Sequence, residues 1–280
     1  MATIRKTITL SDTQDAWIKR QIAEGGFTND SEYIRDLVRR DQEGQEKLLA
    51  ARVLVVGAGG LGAPVILYLA AAGIGTITII DDDHISLSDL NRQIIYRDGN
   101  VGASKSHHAA NAANTLNPDI HISQLAVRLN SDNVEKLVTS HDVVIDCTDN
   151  FETRYLMGDA AHHCGRPLVF GGAVRMEGQV SVFQSSVKGH FGSPCYRCVF
   201  PSMPDAKQAP GCSEAGILGP VAGLIGTLQA LETIKLILGQ PRTLTGRLLL
   251  IEGAGGDFIE IQTVARRDCS CCGKPSNDRS

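Results

Sequence analysis

The 280-residue sequence predicts an α/β fold, a mixed sheet whose parallel part comes first, preceded by a small strand–helix–helix arm. Three observations carry that prediction. From Leu48 onward, short β-branched runs alternate with helical stretches. A glycine-rich loop, Gly57-Ala58-Gly59-Gly60-Leu61-Gly62, stands between the first such run and the first such helix. An acid, Asp81, closes the next run roughly twenty residues on, the spacing of a nucleotide-binding strand–turn–helix–strand unit.

The arm spans residues 1–47. Ile4, Ile8 and Leu10 alternate with Arg5, Thr7 and Thr9, the pattern of a short strand with one apolar face. Asp12 to Glu24 reads as a helix carrying Trp17, Ile18 and Ile22 and stopped by Gly25-Gly26. A second helix starts near Asn29, with Glu32 three residues on as in a capping box, and carries Tyr33, Ile34, Leu37 and Val38. So small a segment does not bury a core alone, which implies dimerisation or docking. Through "RKTITLSDTQDAWIKRQI" and "FTNDSEYIRDLVRRD" it resembles the ribbon–helix–helix antitoxins of the ParD type. In such dimers the paired strands enter the major groove, which here would present Arg5, Thr7 and Thr9. With Arg5 and Lys6 as its local cations, the strand reads more readily as a dimerising element than as a nucleic-acid contact.

Residues 48–280 make the second domain. Val53–Val56 is a short strand, Ala63–Ala72 an apolar helix ended by Gly73, and Ile74–Ile80 a second strand. Val143–Ile145 and Leu168–Phe170 read as further buried strands, with Val180–Phe183 and Leu248–Ile251 following. The most apolar long stretch, Ile217–Leu238, contains Pro220, glycines, Gln229, Glu232 and Lys235, which argues for a buried helix after a loop and against a membrane span. The net charge of −4, with 42% hydrophobic and 21% charged residues, gives no global reason for nucleic-acid or membrane binding. The N-terminus has no apolar core of signal-peptide length, so a cytoplasmic location is expected.

The glycine loop follows a strand and opens a helix, where backbone amides approach phosphates and the helix N-terminus favours negative charge. Asp81 is placed to accept ribose hydroxyls, with Asp83 beside it. Dehydrogenases share all of this. Beyond Asp81 the sequence adds Arg92, a planar fork for phosphate oxygens, and Lys105, a point charge at the expected start of the next helix. Asp146 and Asp149 lie just past the C-terminal end of a buried strand, where ligands of open α/β sheets sit and a carboxylate can hold Mg²⁺. Singly, Lys105 reads as a solvated helix charge, Arg92 as a surface ion pair and Asp149 as a helix cap. Together they suit a triphosphate that is split better than a nicotinamide cofactor.

The segments "RVLVVGAGGLGAPV", "SLSDLNRQ", "VGASK", "DCTDN", "GGAVRMEGQVSVF", "PCYRC", "GCSEAG", "GTLQALETIK" and "CSCCG" stand in the order of the MoeB/ThiF/HesA adenylyltransferases, relatives of the ubiquitin-activating enzymes. The resemblance covers about residues 44–273. It implies a Rossmann-like mixed sheet with an ATP site at the C-terminal ends of its strands. It also implies a cytoplasmic homodimer that adenylylates the C-terminal Gly-Gly carboxylate of a ubiquitin-like sulfur carrier and releases pyrophosphate. Carried over by position, Gly57, Gly59, Gly60 and Gly62 resemble the ATP cradle and Asp81 the ribose acid. Ser88, Asp89, Leu90, Asn91, Arg92 and Gln93, with Lys105, look like phosphate contacts; Asp149 looks like the magnesium acid and Asn150 like its neighbour. One departure is Asp89, an anion where the family usually keeps an amide. The family's leading Arg-Tyr-x-Arg-Gln segment is reduced here to Gly44-Gln45-Glu46, leaving Arg35, Arg39 and Arg40 as nearby arginines. From a different class, a DNA-binding regulator whose α/β body senses nucleotide is the alternative.

The eight cysteines are unevenly spread. Cys195-Tyr196-Arg197-Cys198 and Cys269-Ser270-Cys271-Cys272 hold two CxxC pairs, which supply a closed tetrahedral thiolate set for Zn²⁺; a redox dithiol is the competing reading. Cys212 sits in a polar loop before the long helix, and the resemblance makes it a candidate for a thioester or persulfide link, with a dispensable thiol as the alternative.

Overall fold

The structure, a computed structural model, describes residues 9–25, 27–204 and 216–273. Two compact units divide the chain, Met1–Glu46 and Lys47–Ser280. The expected arm strand falls largely on residues 1–8, outside the described residues. Within the first unit, helix α1 spans Asp12–Gly25, and Asp30 begins a long helix, α2 (Asp30–Ala50). Asn29 caps that helix by accepting the Glu32 N–H at 3.0 Å, while the Glu32 carboxylate reaches back to the Thr28 N–H at 2.7 Å. The second half of the capping box is therefore made one residue earlier than expected. Tyr33 and Ile18 are buried, with the Trp17 and Phe27 rings against Tyr33. The side chains of Arg35, Arg39 and Arg40 lie outside what is described.

The second unit is built on one eight-stranded sheet of order β3-β2-β1-β4-β5-β6-β7-β8. Its strands are β1 (Arg52–Val56), β2 (Thr76–Ile80), β3 (His121–Leu125), β4 (Val143–Asp146), β5 (Leu168–Val174), β6 (Glu177–Phe183), β7 (Arg247–Glu252) and β8 (Asp257–Gln262). The first five pair in parallel, and β5 through β8 pair antiparallel. The helices are α3 (Gly62–Ala71), α4 (Lys105–Leu116), α5 (Val134–Thr139), α6 (Phe151–His163), α7 (Tyr196–Val199) and α8 (Gly219–Ile237).

Strand alternation explains why both faces are covered. Val53, Val55, Ile77, Ile79 and Ile145 point into one apolar cluster with α3, α4 and α8. Leu54, Val56, Ile80, Val144 and Phe170 point into the other, with α5, α6 and α7. Strands buried on both faces read as continuous apolar runs, as these do. α8 is long and apolar enough to cross a membrane by length and composition. Its Gln229 is nevertheless fully buried and donates to the carbonyls of Asp146 at 2.7 Å and Val169 at 3.3 Å, which ties the helix to the sheet.

Register places the site. Val56 stands opposite Ile80 on one side and Asp146 on the other, so the loops after β1, β2 and β4 leave the sheet at one level. Chain direction reverses its progress across the sheet between β1 and β4, the switch point where open α/β sheets hold ligands.

Candidate active site

An open pocket of about 530 Å³ lies at that switch point. The glycine loop supplies one wall. Gly57 has φ +94°, and a Cβ there would come within 2.7 Å of the Cys147 carbonyl oxygen. A Cβ on Gly62 would come within 2.0 Å of the Gly57 carbonyl oxygen, so the turn closes only with glycine at both places. Gly59 and Gly60 line the pocket, whereas Gly62 packs behind it.

Asp81 follows β2 and is held by its own surroundings. Its carboxylate accepts the Ala58 N–H at 2.7 Å and the Asp83 N–H at 2.9 Å. Burial pushes this carboxyl above its ordinary range, and those two N–H bonds and the Lys105 charge oppose the rise. Tyr96, which sequence reading passed over, braces the same corner: its hydroxyl donates to the Ala58 carbonyl at 2.8 Å and stands 3.2 Å from that of Lys105.

The cations cluster around Asp89. Leu87–Asp89 forms a short 3₁₀ turn, in which one Asp89 oxygen accepts the Ser86 N–H at 3.0 Å. Lys105 Nζ lies 3.5 Å from that oxygen and donates to Asp83 at 3.1 Å. The other Asp89 oxygen accepts from Arg92 Nη2 at 3.1 Å and Gln93 Nε2 at 2.9 Å. Burial pushes the Asp89 carboxyl up, but the Ser86 amide, Lys105 and Arg92 outweigh it and hold the group below its usual range. Burial likewise lowers Lys105, but Asp83, Asp81 and Asp89 outweigh it and leave the ammonium above its ordinary value. Asp89 is therefore a buried hub that orients the two cations. The charge that stands in place of the family's usual amide is thus shielded by donors and cations of the protein itself.

Arg92 Nη1 also donates to the Ser88 carbonyl at 2.7 Å and to Asn91 Oδ1 at 3.0 Å. Ser88 lines the pocket; Asn91 touches it only through Arg92, and Leu90 packs against the core. Across the switch point, Asp149 and Asn150 line the opposite wall. Asn150 caps α6, accepting the Thr153 N–H at 2.9 Å. Asp149 is exposed, and its carboxylate makes no hydrogen bond or ion pair among the described residues. Arg154, Thr148 and Ile217 line the pocket too and were missed; an arginine in the first turn of a helix gives no sequence signal of burial. Cys212 lies outside the described residues.

The four expected zinc ligands converge. Cys195 Sγ lies 3.8 Å from Cys198 Sγ and 3.5 Å from Cys269 Sγ, and Cys198 Sγ lies 3.3 Å from Cys272 Sγ. A zinc tetrahedron with bonds near 2.3 Å has sulfur–sulfur edges of about 3.8 Å. The Arg266 N–H points at Cys198 Sγ from 3.3 Å, and Arg197 holds α7 by a two-point bond to Asp159 at 2.6 and 2.7 Å. Burial pushes the Cys198 and Cys272 thiols up, and Cys269, despite burial, is drawn down to about 7 by the N–H groups of Cys272 and Cys271. So many crowded thiols ionise together only around a cation.

The profile of the ThiF family matches residues 33–273. The sulfur carrier protein adenylyltransferase of Thermus thermophilus is 41% identical over 238 residues, covering 85% of this chain and 88% of that protein. The adenylyltransferase and sulfurtransferase MOCS3 of Culex quinquefasciatus is 40% identical over 278 residues, covering 96% of this chain; the chain spans 62% of that protein's length. Among solved structures, E. coli MccB superposes with a TM-score of 0.75 at 21% identity, over 97% of this chain and 83% of MccB, a likeness of fold. With its eight-stranded mixed sheet, glycine loop and cation cluster in place, the chain belongs to the ThiF family.

Proposed function

We propose that the chain is an ATP-dependent adenylyltransferase for a ubiquitin-like sulfur carrier of the MoaD or ThiS kind, in molybdopterin or thiamine biosynthesis. The observation that carries this reading is the Asp89 hub, which holds Arg92 and Lys105 in the lining of a pocket walled on one side by the glycine loop. The carrier's terminal glycine carboxylate forms a bond to the α-phosphorus of ATP, and the bond to the β-phosphate oxygen breaks. The electron pair leaves with pyrophosphate, whose charge Arg92 and Lys105 offset. The carboxylate is already ionised at neutral pH, so no general base is required. Asp81 would orient the ribose and the glycine-loop amides the phosphates. Magnesium, when bound, would neutralise phosphate charge; the unpaired carboxylate of Asp149 offers it a ligand. Zinc at Cys195, Cys198, Cys269 and Cys272 would be structural, since four protein ligands leave no open position. After adenylylation, the Cys212 thiolate would take the carrier's acyl group as a thioester while the acyl–phosphate bond breaks and AMP leaves.

Carrier-dependent ATP–pyrophosphate exchange tests the reading, with MoaD- and ThiS-like proteins ending in Gly-Gly as substrates. Exchange that appears only with such a carrier, and falls about a hundredfold or more in Arg92→Ala, is expected. No exchange with any carrier overturns the assignment. For residues 1–47 we infer self-association of the ribbon–helix–helix kind within a cytoplasmic homodimer, which the exposed apolar side chains of Trp17 and Leu37 favour. Light scattering on the full chain, with Trp17→Ser for comparison, measures it; a wild-type monomer would refute it.

A further inference from the structure

Arg154 is a buried cation with no direct ion pair among the described residues, although the buried Asp146 carboxylate is close enough to feel its charge. Arg154 stands in the first turn of α6, is 7% exposed, and lines the pocket beside Asp149 and Asn150. Its Nη2 donates to the Thr148 carbonyl at 2.7 Å, while Nε is buried with no hydrogen-bond partner. The guanidinium carbon lies 5.3 Å from the centre of the Phe170 ring and 5.7 Å from that of Phe151, so aromatic faces hold its plane. The other cations of the lining differ: Arg92 is paired with Asp89, Lys105 with Asp83 and Asp89, and Arg128 is exposed to solvent. Among the described residues no carboxylate comes within ion-pair distance of Arg154. Asp146, whose charge Arg154 stabilises, spends one oxygen on the Thr148 N–H and hydroxyl at 2.9 and 2.7 Å, and its other oxygen is buried without a hydrogen bond to Arg154 or any other donor.

A buried guanidinium that makes no direct ion pair is stabilised further when an anion docks against it. We propose that Arg154 binds the carboxylate that the adenylylation consumes, the free C-terminal carboxylate of the carrier. This rests on the function proposed above. The planar fork of arginine matches a carboxylate in a way a point charge does not. Placement favours the carboxylate over the nucleotide phosphates. Arg92 and Lys105 come from the segment after β2 and already serve the phosphates, whereas Arg154 comes from the β4 side of the switch point. A carboxylate held there faces an α-phosphate cradled on the β1 side, and Arg154 fixes its attacking oxygen without taking part in any covalent change.

The phosphate of ATP is the competing oxyanion, and the test separates the two. The probes are a MoaD-like carrier with its free terminal carboxylate, the same carrier ending in glycinamide, and a non-hydrolysable ATP analogue. All binding is measured to the full-length chain. The wild-type enzyme is expected to bind the acid about tenfold or more tightly than the amide. Arg154→Gln should abolish that difference while leaving analogue affinity within about threefold, and Arg154→Lys should restore part of it. Equal binding of acid and amide by the wild-type chain overturns the proposal, and needs no variant that folds. A loss of analogue affinity in Arg154→Gln with the acid–amide difference intact also overturns it, and assigns Arg154 to phosphate. Failure of the carrier to bind in either form instead removes the carrier function itself.

Discussion

Replacing Asp89 by Asn takes one charge from the centre of the site and turns one acceptor oxygen into a donor. Both Asp89 oxygens are occupied by donors, one facing Ser86 N–H and Lys105, the other Arg92 and Gln93. Whichever way the amide turns, its NH₂ meets two donors. Asp89 is 8% exposed on its side chain and Lys105 also 8%, so little solvent replaces the lost contacts; Arg92, at 24%, can turn outward. Removing one partner of a buried ion pair costs about 3–5 kcal/mol, and the partial escape of Arg92 sets the estimate near the low end, about 3 kcal/mol. In a domain of this size that lowers Tm by roughly 6–12 °C. Nucleotide affinity changes by less than about threefold, because the cations lose their aim while gaining unscreened charge. Carrier-dependent exchange falls about a hundredfold, as expected when charges of the transition state are misplaced. Thermal denaturation and pyrophosphate exchange measure the two effects. A variant with unchanged Tm and undiminished exchange would refute the hub and leave Asp89 as a bystander.

Gly62→Ala drives a Cβ to within 2.0 Å of the Gly57 carbonyl oxygen and should cost at least about tenfold in ATP affinity, read by nucleotide titration; a variant that binds normally contradicts the turn geometry. Cys198→Ser should reduce bound zinc, measured by elemental analysis, from one ion per chain to less than about a tenth of that, with a lower Tm; full occupancy would show that the tetrad is not the metal site. His141 supplies a pH dependence. Its Nδ1 lies 2.6 Å from the Leu137 carbonyl and its Nε2 2.7 Å from the Thr78 hydroxyl, so the neutral ring donates at the first and accepts at the second. Burial lowers its pKa below the usual 6.5, so the unfolded chain binds its proton first as pH falls. Stability from this residue is full above that value, declines as pH drops through it, and levels off below the folded pKa, with a slope of at most about 1.4 kcal/mol per pH unit. An NMR titration of the His141 ring with a midpoint at or above the usual value would refute this.

The parallel half of the fold was legible because its strands are buried on both faces and bounded by glycines, as at Val53–Val56 before Gly57. β3 and β8 were missed for the opposite reason. β8 is exposed along its whole length and offers only a two-step alternation at Ile259 and Ile261, and β3 is at best half-buried, so neither reads as a buried strand. That Asp81, Arg92, Lys105 and Asp149 share one pocket was legible because all four follow strands that end on the same edge of the sheet. The role of Asp89 was not, since it depends on Lys105, sixteen positions on, folding back onto it. Tyr96 and Arg154 escaped as well: what distinguishes them is burial, and only tertiary packing creates it.

The contact between Gly57 and the Cys147 carbonyl, with no room even for a methyl group, welds the two walls of the pocket together. The loop that would cradle the nucleotide and the loop that carries Asp149 are then fixed against each other at their bases. Their ordering entropy is settled when the domain folds rather than when a ligand arrives. Hydrogen exchange in residues 57–62 and 146–150 should therefore be slow before any ligand binds and change little afterward. Discrimination between ligands at this site then rests on where the charges stand rather than on how far the jaws close.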